Sequence, residues 1–460
     1  MDIAHNMDIA HNTNISLKNR KVIKPRVTIL NKPVGLSSLA YKKKNTIKRQ
    51  RQRGGEKLGQ GTFGCVLSPG IPCDQNKKYS APTISKIIYE VATGKEDYNN
   101  ELEISRKISH IDKKQRYLLS ILDECPLNIN NAIKRTPKDT IPVSFLDNEL
   151  QDWQFIGPDK QLNNKLTKTE LDTNYCLIDA DLAPRNQIQV NGGIRLDTVK
   201  PTHNAKYYVL LKQFYLNVCK DLLTGVKMMH ENRMVHRDIK ESNMVIDIVQ
   251  LKQGKKYHNY PLVRHIDFGL SETVEPTVDK GIYAVEYRGT PGFIPIEIII
   301  LYYMKNYYDS SYNLSLPTVK QNILSKIKVK YEEFKSIFVS RRITYNQLHM
   351  NSDDPSGKRS LPANHSEMDG EYVKPNEFSR LYDKMLVLIK NKTIYNKYTA
   401  DFTGYLYKVD IFALGVTFAK LRDLLHIKNP KFMDLIKHMV MSEPDKRYNI
   451  NQCLAHPIFK

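Results

Sequence analysis

With 460 residues, the chain is long enough for one large domain or for two lobes with appended segments. The composition, 41% apolar and 26% charged with no run of 18 apolar residues, is typical of a soluble protein and argues against a membrane span. The N-terminus lacks the apolar core of a signal peptide, and six scattered cysteines without a C-x-x-C pair predict reduced thiols in an intracellular protein.

The positive charge, +21 in total, is concentrated at the N-terminus. Residues 1–53 hold 13 Lys or Arg against two Asp, a net charge of +11, and show no sustained periodicity. We predict a flexible basic arm, in which residues 18–53 make non-specific contact with nucleic acid or an anionic surface through counterion release. A solvated tail that keeps the protein soluble is the alternative.

A glycine-rich segment follows the arm, and it reads Leu58-Gly59-Gln60-Gly61-Thr62-Phe63-Gly64-Cys65-Val66. Its three glycines let backbone amides approach phosphate oxygens without Cβ clashes. A lone G-x-G-x-x-G is a weak signal that also fits a dinucleotide site. Against that alternative, no acidic ribose partner ends a following β-α-β unit.

The octet His236-Arg237-Asp238-Ile239-Lys240-Glu241-Ser242-Asn243 places a carboxylate, an ammonium and a carboxamide within six residues. Phosphoryl transfer from ATP uses such a set: a base that orients a hydroxyl, a cation on the moving phosphate and an oxygen ligand for Mg²⁺. When these eight residues are considered alone, an exposed polar turn is the alternative interpretation.

These two segments resemble the glycine-rich loop and the H-R-D-x-K-x-x-N catalytic loop of eukaryotic-type protein kinases. The resemblance covers about residues 54–460, with eight motifs in order. It implies an α+β, two-lobed kinase fold, with a small β-rich N-lobe at about 54–178, a larger helical C-lobe at about 182–460 and an insertion at about 305–403. In its divergence and its AT-rich residue bias the chain resembles kinases of large cytoplasmic DNA viruses. A viral origin would imply a location in host cytoplasm, nucleus or virion.

The resemblance implies a lysine that holds the ATP phosphates and a glutamate that pairs with it. Lys86 in the apolar stretch Tyr79 to Tyr89 is the candidate, although Ile84 stands where kinases usually have alanine against adenine. For the partner, Ile104 and Ile108 make an apolar stripe at i+3 and i+7 from Glu101 in the predicted helix 96–111. The same offsets from Glu103 give Arg106 and His110, so the periodicity selects Glu101.

Residues 112–205 are less regular, and we assign the last small-lobe strand and the hinge to 175–182. From Tyr207 to His230 apolar residues recur every three to four positions and predict the central helix of the large lobe. Strands are predicted at 244–246 and 262–266, with a long basic loop from 252 to 260 between them. The second strand ends in Asp267-Phe268-Gly269, where the resemblance makes Asp267 a magnesium ligand together with Asn243.

The segment from Arg288 to Glu297 resembles the kinase segment that holds the peptide substrate. Gly289-Thr290 with Lys240 is the combination found in Ser/Thr-directed members. If Glu297 is buried as in the family, it needs a cation, and Arg447 stands in the family position for it. Asp410 resembles the residue that fixes the catalytic loop from below, and helices are predicted at 318–338 and 377–389 in the insertion.

The resemblance therefore implies a protein kinase that uses ATP and Mg²⁺ to phosphorylate Ser or Thr of a protein substrate. Asp238 and Lys240 are the expected catalytic residues. A pseudokinase scaffold that binds nucleotide and partners is the alternative, and a kinase acting on a small molecule is disfavoured by the complete segment 288–297. Four acids stand among five hydroxyls between Gly269 and Thr290 and favour constitutive activity: Glu272, Glu275, Asp279 and Glu286.

Overall fold

The computed structural model describes residues 56–61, 64–74, 76–89, 95–127, 153–156, 176–179, 183–253, 256–274, 287–340, 375–390 and 404–460. The basic arm, including residues 18–53, lies outside these ranges and stays a prediction. Within them, none of the helices combines the length and the apolarity needed to cross a bilayer.

The N-terminal part is built on a five-stranded antiparallel sheet in the order β1-β2-β3-β7-β4. Alternation along β3 buries Thr83, Ser85 and Ile87 on one face and leaves Lys86 on the other. The strands are β1 (Glu56–Gly61), β2 (Gly64–Ser68), β3 (Thr83–Ile88), β4 (Ile121–Pro126) and β7 (Arg185–Val190).

Helix α1 (Lys95–Ile111) follows β3 and lies where the apolar stripe predicts a helix. Ile104 and Ile108 are fully buried and pack with Leu118, Met229 and Phe268. This apolar contact joins the helix to the C-terminal part of the chain, because Met229 and Phe268 both belong to that part. The helix therefore has a fixed position beside the Asp267-Phe268-Gly269 segment.

The prediction that 175–182 supplies the last strand of this sheet is wrong. Strand β6 (Cys176–Asp179) pairs with β5 (Trp153–Ile156) in a separate hairpin, and β7 takes the place between β3 and β4. The last strand of this sheet therefore ends at Val190, beyond the 178–182 boundary expected between N-lobe and C-lobe, and is followed by Asn191-Gly192-Gly193. Gly193 has φ of +98°, and a Cβ there would lie 2.1 Å from the Ile246 carbonyl oxygen, so glycine is required.

The prediction of six reduced thiols is wrong for four of them. Cys65 is disulfide-bonded to Cys176, and Cys73 to Cys125, whereas Cys219 and Cys453 are buried free thiols. The bonds span 111 and 52 residues. Because the partners are brought together only by strand pairing and by the inserted hairpin, sequence spacing gave no sign of them.

The C-terminal part is helical and has α7 (Tyr405–Leu425) at its centre, with nearly every residue buried, including the charged Lys408, Asp410 and Arg422. The predicted central helix divides at Phe214 into two helices. The helices other than α7 are α2 (Ala205–Gln213), α3 (Tyr215–Glu231), α4 (Ile296–Asp309), α5 (Pro317–Ser340), α6 (Pro375–Lys390), α8 (Pro430–Met439) and α9 (Ile450–Leu454).

Short strands surround the catalytic octet. Strand β8 (Ile194–Arg195) pairs with β10 (Met244–Gln253), and β9 (Met234–Val235) pairs with β12 (Glu272–Thr273). The prediction of a loop from 252 to 260 is wrong, because β10 pairs over its full length with β11 (Lys256–His265). The pairing reaches Gln253 and Lys256, and Tyr257, Tyr260 and Val263 are residue types favoured in strands.

The insertion at 305–403 contains α5 and α6, which confirm the two helices predicted there. Both pack against α4, so the insertion is joined to the helix that carries Glu297. Val319, Ile323 and Ile327 of α5 and Leu381 and Met385 of α6 are buried in the main core. The polar centre of the insertion, 351–374, lies outside the described residues.

Candidate active site

The glycine-rich turn joins β1 to β2. Gly64 lies beside β3, and a Cβ there would come within 1.9 Å of the Ile87 carbonyl oxygen. The close approach of β2 to β3 at this point therefore requires glycine. Among the predicted nucleotide-binding residues, Leu58 is exposed and Val66 pairs with Lys86. Thr62 and Phe63 lie outside the described residues, and Gly59, Gln60 and Gly61 belong to β1.

Cys65 needs a correction as a predicted nucleotide-binding residue. Its side chain is bonded to Cys176 and is buried with Leu67 and Ile87, on the sheet face opposite to Lys86 and Val66. Successive side chains of a strand point to opposite faces. Only the backbone of Cys65 is therefore available on the Lys86 side of the sheet.

Lys86 is held between two carboxylates. Its Nζ donates to Glu101 Oε1 at 2.8 Å and to Asp267 Oδ1 at 3.0 Å. Burial lowers the pKa of Lys86, but the Asp267 and Glu101 charges outweigh burial, and the net shift is upward. The structure thus brings together three predicted site residues that lie up to 181 positions apart. Glu103 pairs instead with Lys107 on the exposed face of α1.

Asp238 accepts hydrogen bonds from three side chains. Lys240 Nζ donates to Oδ2 at 2.7 Å, Asn243 Nδ2 donates to Oδ2 at 2.7 Å, and Thr290 Oγ1 donates to Oδ1 at 2.6 Å. Lys240 Nζ also lies 2.6 Å from Thr290 Oγ1. These contacts fix the carboxylate, which is nearly buried, and tie the catalytic loop to the segment from Arg288 to Glu297.

The backbone of the catalytic loop is anchored from below by Asp410 of α7. The amides of His236 and Arg237 each donate to its carboxylate at 2.9 Å, and His230 Nε2 lies 3.1 Å from Oδ2. Burial raises the pKa of Asp410, but the bonds and charges of the histidines and the His236 amide outweigh it and lower the pKa. Arg237 has φ of +65°, a strained conformation that this anchor holds in place.

Asn243 and Asp267 supply oxygen ligands of the kind that Mg²⁺ prefers. Both hydrogens of the Asn243 amide group are directed at Asp238, which leaves its carbonyl oxygen as the acceptor. The Lys86 ammonium holds the pKa of Asp267 below its ordinary range, and that carboxylate is 45% exposed. Two hard oxygen ligands fit Mg²⁺, which keeps several waters and takes its other ligands from phosphates.

The segment after Asp267-Phe268-Gly269 is held in an ordered position by polar contacts. Arg237 Nη1 donates to Glu272 Oε1 at 3.0 Å, with the arginine side chain 2% exposed. Asn100 Nδ2 of α1 donates to the Ser271 carbonyl oxygen at 2.7 Å, and Lys107 Nζ donates to Thr273 Oγ1 at 3.0 Å. Of the four predicted acids, Glu272 meets Arg237, and the other three lie outside the described residues.

The segment from Arg288 to Glu297 joins this centre to the core. Gly289 has φ of +119°, and a Cβ there would lie 2.7 Å from the Arg237 carbonyl oxygen. Glu297 is fully buried and makes two contacts with Arg447, Oε1 to Nη1 at 2.7 Å and Oε2 to Nη2 at 3.2 Å. The cation that burial of Glu297 requires is thus Arg447.

Two features of the site were missed from the sequence. The connection Asn191-Gly192-Gly193 is a turn signal that marks the end of β7. It would have located the end of the last strand of the five-stranded sheet. Gln187 of β7 places its amide 3.4 Å from Glu101 Oε2. No local pattern identifies that glutamine, because its role depends on the strand order.

The protein kinase domain family matches residues 202–459, more than half of the chain, and the chain therefore belongs to the protein kinase family. This confirms the resemblance. The match begins after β7, so the geometry of Lys86, Glu101 and the glycine-rich turn is independent of it.

Several curated protein kinases are similar to the chain over short stretches. The probable serine/threonine-protein kinase fhkB of Dictyostelium discoideum is 34% identical over 97 residues, 21% of this chain and 7% of that protein. A serine/threonine-protein kinase of equine herpesvirus 1 is 26% identical over 148 residues, 29% of this chain and 39% of that protein. The calcium/calmodulin-dependent protein kinase kinase cmkC of Emericella nidulans is 28% identical over 82 residues, 18% of this chain and 13% of that protein. The chain spans well under two thirds of each.

Proposed function

We propose that the chain is an active serine/threonine protein kinase that transfers the γ-phosphate of ATP to a protein hydroxyl. The five-stranded sheet and the helical part form its two lobes, with the nucleotide between them. The observation that carries the proposal is the triple hydrogen bonding of Asp238 by Lys240, Asn243 and Thr290. A carboxylate that is held in place by hydrogen bonds can orient a hydroxyl and receive its proton.

In this mechanism the site residues have different tasks. Asp238 orients the substrate hydroxyl and accepts its proton, while Lys240, already within 2.7 Å of that carboxylate, steadies the γ-phosphate. Asn243 and Asp267 would hold Mg²⁺, which neutralises charge on the phosphates when bound. Lys86, fixed by Glu101, positions the α- and β-phosphates. The short distances between these groups support catalysis by positioning and by electrostatic stabilisation, which are the main sources of rate enhancement in phosphoryl transfer.

The test of Ser/Thr specificity is to identify the phosphorylated product. The purified chain should transfer labelled phosphate from MgATP to a panel of basic proteins, and acid hydrolysis should release phosphoserine or phosphothreonine. Thr290 and Lys240 both donate to Asp238, and this is the combination found in Ser/Thr-directed kinases. Phosphotyrosine as the main product would contradict the assignment.

The ion pair between Arg237 and Glu272 also supports activity without phosphorylation of the activation segment. A carboxylate already occupies a place where a phosphate would otherwise meet that arginine, although it only partly imitates the charge and geometry of a phosphate. Phosphatase treatment of the purified kinase should therefore leave its rate nearly unchanged. In contrast, Glu272→Gln should lower the rate, and prior incubation with MgATP should not restore it.

The matched control for this experiment is Glu231→Gln, which removes an exposed carboxylate of an ion pair with Lys227 on α3 and should not change the rate. A fall of about tenfold after phosphatase treatment, reversed by MgATP, would mean that a phosphate supplies the charge, since a phosphorylated hydroxyl pairs with arginine more strongly than a carboxylate does.

A further inference from the structure

Gln187 is a completely buried amide in the middle of the five-stranded sheet. In the register of β3 and β7 it is directly opposite Lys86. Directly paired residues of antiparallel strands project to the same side of a sheet. The Gln187 side chain therefore lies on the face that carries Lys86 and the pair it forms with Glu101.

The Glu101 carboxylate has two oxygens, and two different side chains contact them. Oε1 accepts from Lys86 at 2.8 Å, and Oε2 lies 3.4 Å from Gln187 Nε2. Because Glu101 is only 6% exposed, water has little access to its second oxygen. A buried carboxylate with a donor on each oxygen is held in one orientation.

Stability alone does not account for an amide at this position. The Oε1 atom of Gln187 is buried and has no hydrogen-bond partner among the described residues. Such an unsatisfied oxygen is destabilising, and an apolar side chain of the same size would avoid that penalty. The contact to Glu101 is also long, so it adds little to folding while it still favours one carboxylate orientation.

The neighbouring Asn186 also has a buried amide oxygen without a partner among the described residues, but it differs in the bond that its nitrogen donates and in the face on which it lies. Asn186 is equally buried, but its side chain lies on the opposite face of β7, where Nδ2 donates to the Ile71 carbonyl oxygen at 2.8 Å. That bond joins β7 to the turn between β2 and β3 and does not reach Lys86 or Glu101. Two adjacent buried amides thus serve different faces of one strand.

We propose that Gln187 is a positioning residue that acts through Glu101 on Lys86. It holds the second oxygen of Glu101, so that the first remains directed at the Lys86 ammonium when that ammonium also contacts ATP phosphates. The proposal rests on the proposed kinase function for its kinetic consequence. It makes β7 a third element of the phosphate-positioning group, beside β3 and α1.

The test compares Gln187→Leu, Gln187→Glu and the control Asn186→Leu in the full chain. Thermal unfolding, the affinity for MgATP, the KM values for ATP and for a peptide substrate, and kcat are measured for each. For Gln187→Leu we expect an unchanged or higher Tm and a KM for ATP raised about fivefold, as for loss of one ordinary hydrogen bond. The KM for peptide should not change. Gln187→Glu should be worse, because a second carboxylate competes with Glu101 for Lys86.

Asn186→Leu should lower Tm and leave the KM for ATP unchanged, which separates a structural role from a positioning role. Wild-type ATP affinity and kinetics in Gln187→Leu, or losses that only follow a lower Tm, would overturn the proposal. If the wild-type chain transfers no phosphate, the proposed function fails instead. The MgATP affinities of the variants then still decide the role of Gln187.

Discussion

Asp238→Asn should reduce kcat by a factor of about 10²–10⁴, the usual contribution of a general base, while ATP affinity changes little. An asparagine cannot take the proton of a hydroxyl. Its NH₂ group would also face one of the donors that now contact the carboxylate, Lys240 and Asn243 on Oδ2 or Thr290 on Oδ1. The nucleotide phosphates are bound by other residues, so MgATP titration of the variant should resemble that of the wild type.

The matched control is Asp383→Asn on α6, where the carboxylate is 58% exposed and pairs with Lys320 at the surface. This change has the same chemistry and should leave the rate intact. If Asp238→Asn keeps more than about a tenth of the wild-type rate, a general-base role at that position is wrong.

The largest effect on stability should come from Glu297→Ala. Both partners of the Glu297–Arg447 pair are fully buried, and removal of one leaves an uncompensated charge, at a cost of about 3–5 kcal/mol in the free energy of unfolding. Arg447 would keep its bonds to the Lys408 and Met441 carbonyl oxygens, which are too few to replace a carboxylate. Chemical denaturation at equilibrium measures the loss.

Two further variants test whether the uncompensated charge causes the loss of stability. Glu231→Ala breaks an exposed i,i+4 pair with Lys227 and should change stability by only about 0.3–0.5 kcal/mol. The double variant Glu297→Met with Arg447→Leu removes both charges and should recover part of the loss. A double variant less stable than Glu297→Ala would show that the hydrogen bonds of Arg447, and not its charge, stabilise this region.

The sequence predicts well those parts of the site that local chemistry specifies. The catalytic octet requires its donors and acceptor within six residues, and the apolar stripe on α1 selects Glu101 over Glu103 without knowledge of the sheet. Likewise, a buried Glu297 needs a cation, although it is the resemblance that names Arg447 as that cation. In each case the physical constraint acts on one helix, one loop or one buried charge.

The remaining features depend on contacts between distant segments. The order of strands decides that β7, and not the segment at 175–182, adjoins β3, and a hairpin of suitable composition could pair in either place. The disulfides and Gln187 follow from that order, because Cys176 reaches Cys65 only from the separate hairpin. Polar residues such as Lys252 and Lys256 suggested a loop, but backbone pairing overrode this preference in β10 and β11.

The most direct test of the whole account is the initial rate of γ-phosphate transfer to a protein acceptor at saturating MgATP, measured side by side for the wild-type chain and Asp238→Asn. If Asp238 acts in catalysis together with Lys240, Asn243, Asp267 and Lys86, the wild type should turn over steadily. Its rate should exceed that of the variant by a factor of about 10² or more. Equal incorporation by both proteins, with MgATP bound to each, would contradict the account and would make the chain a nucleotide-binding scaffold.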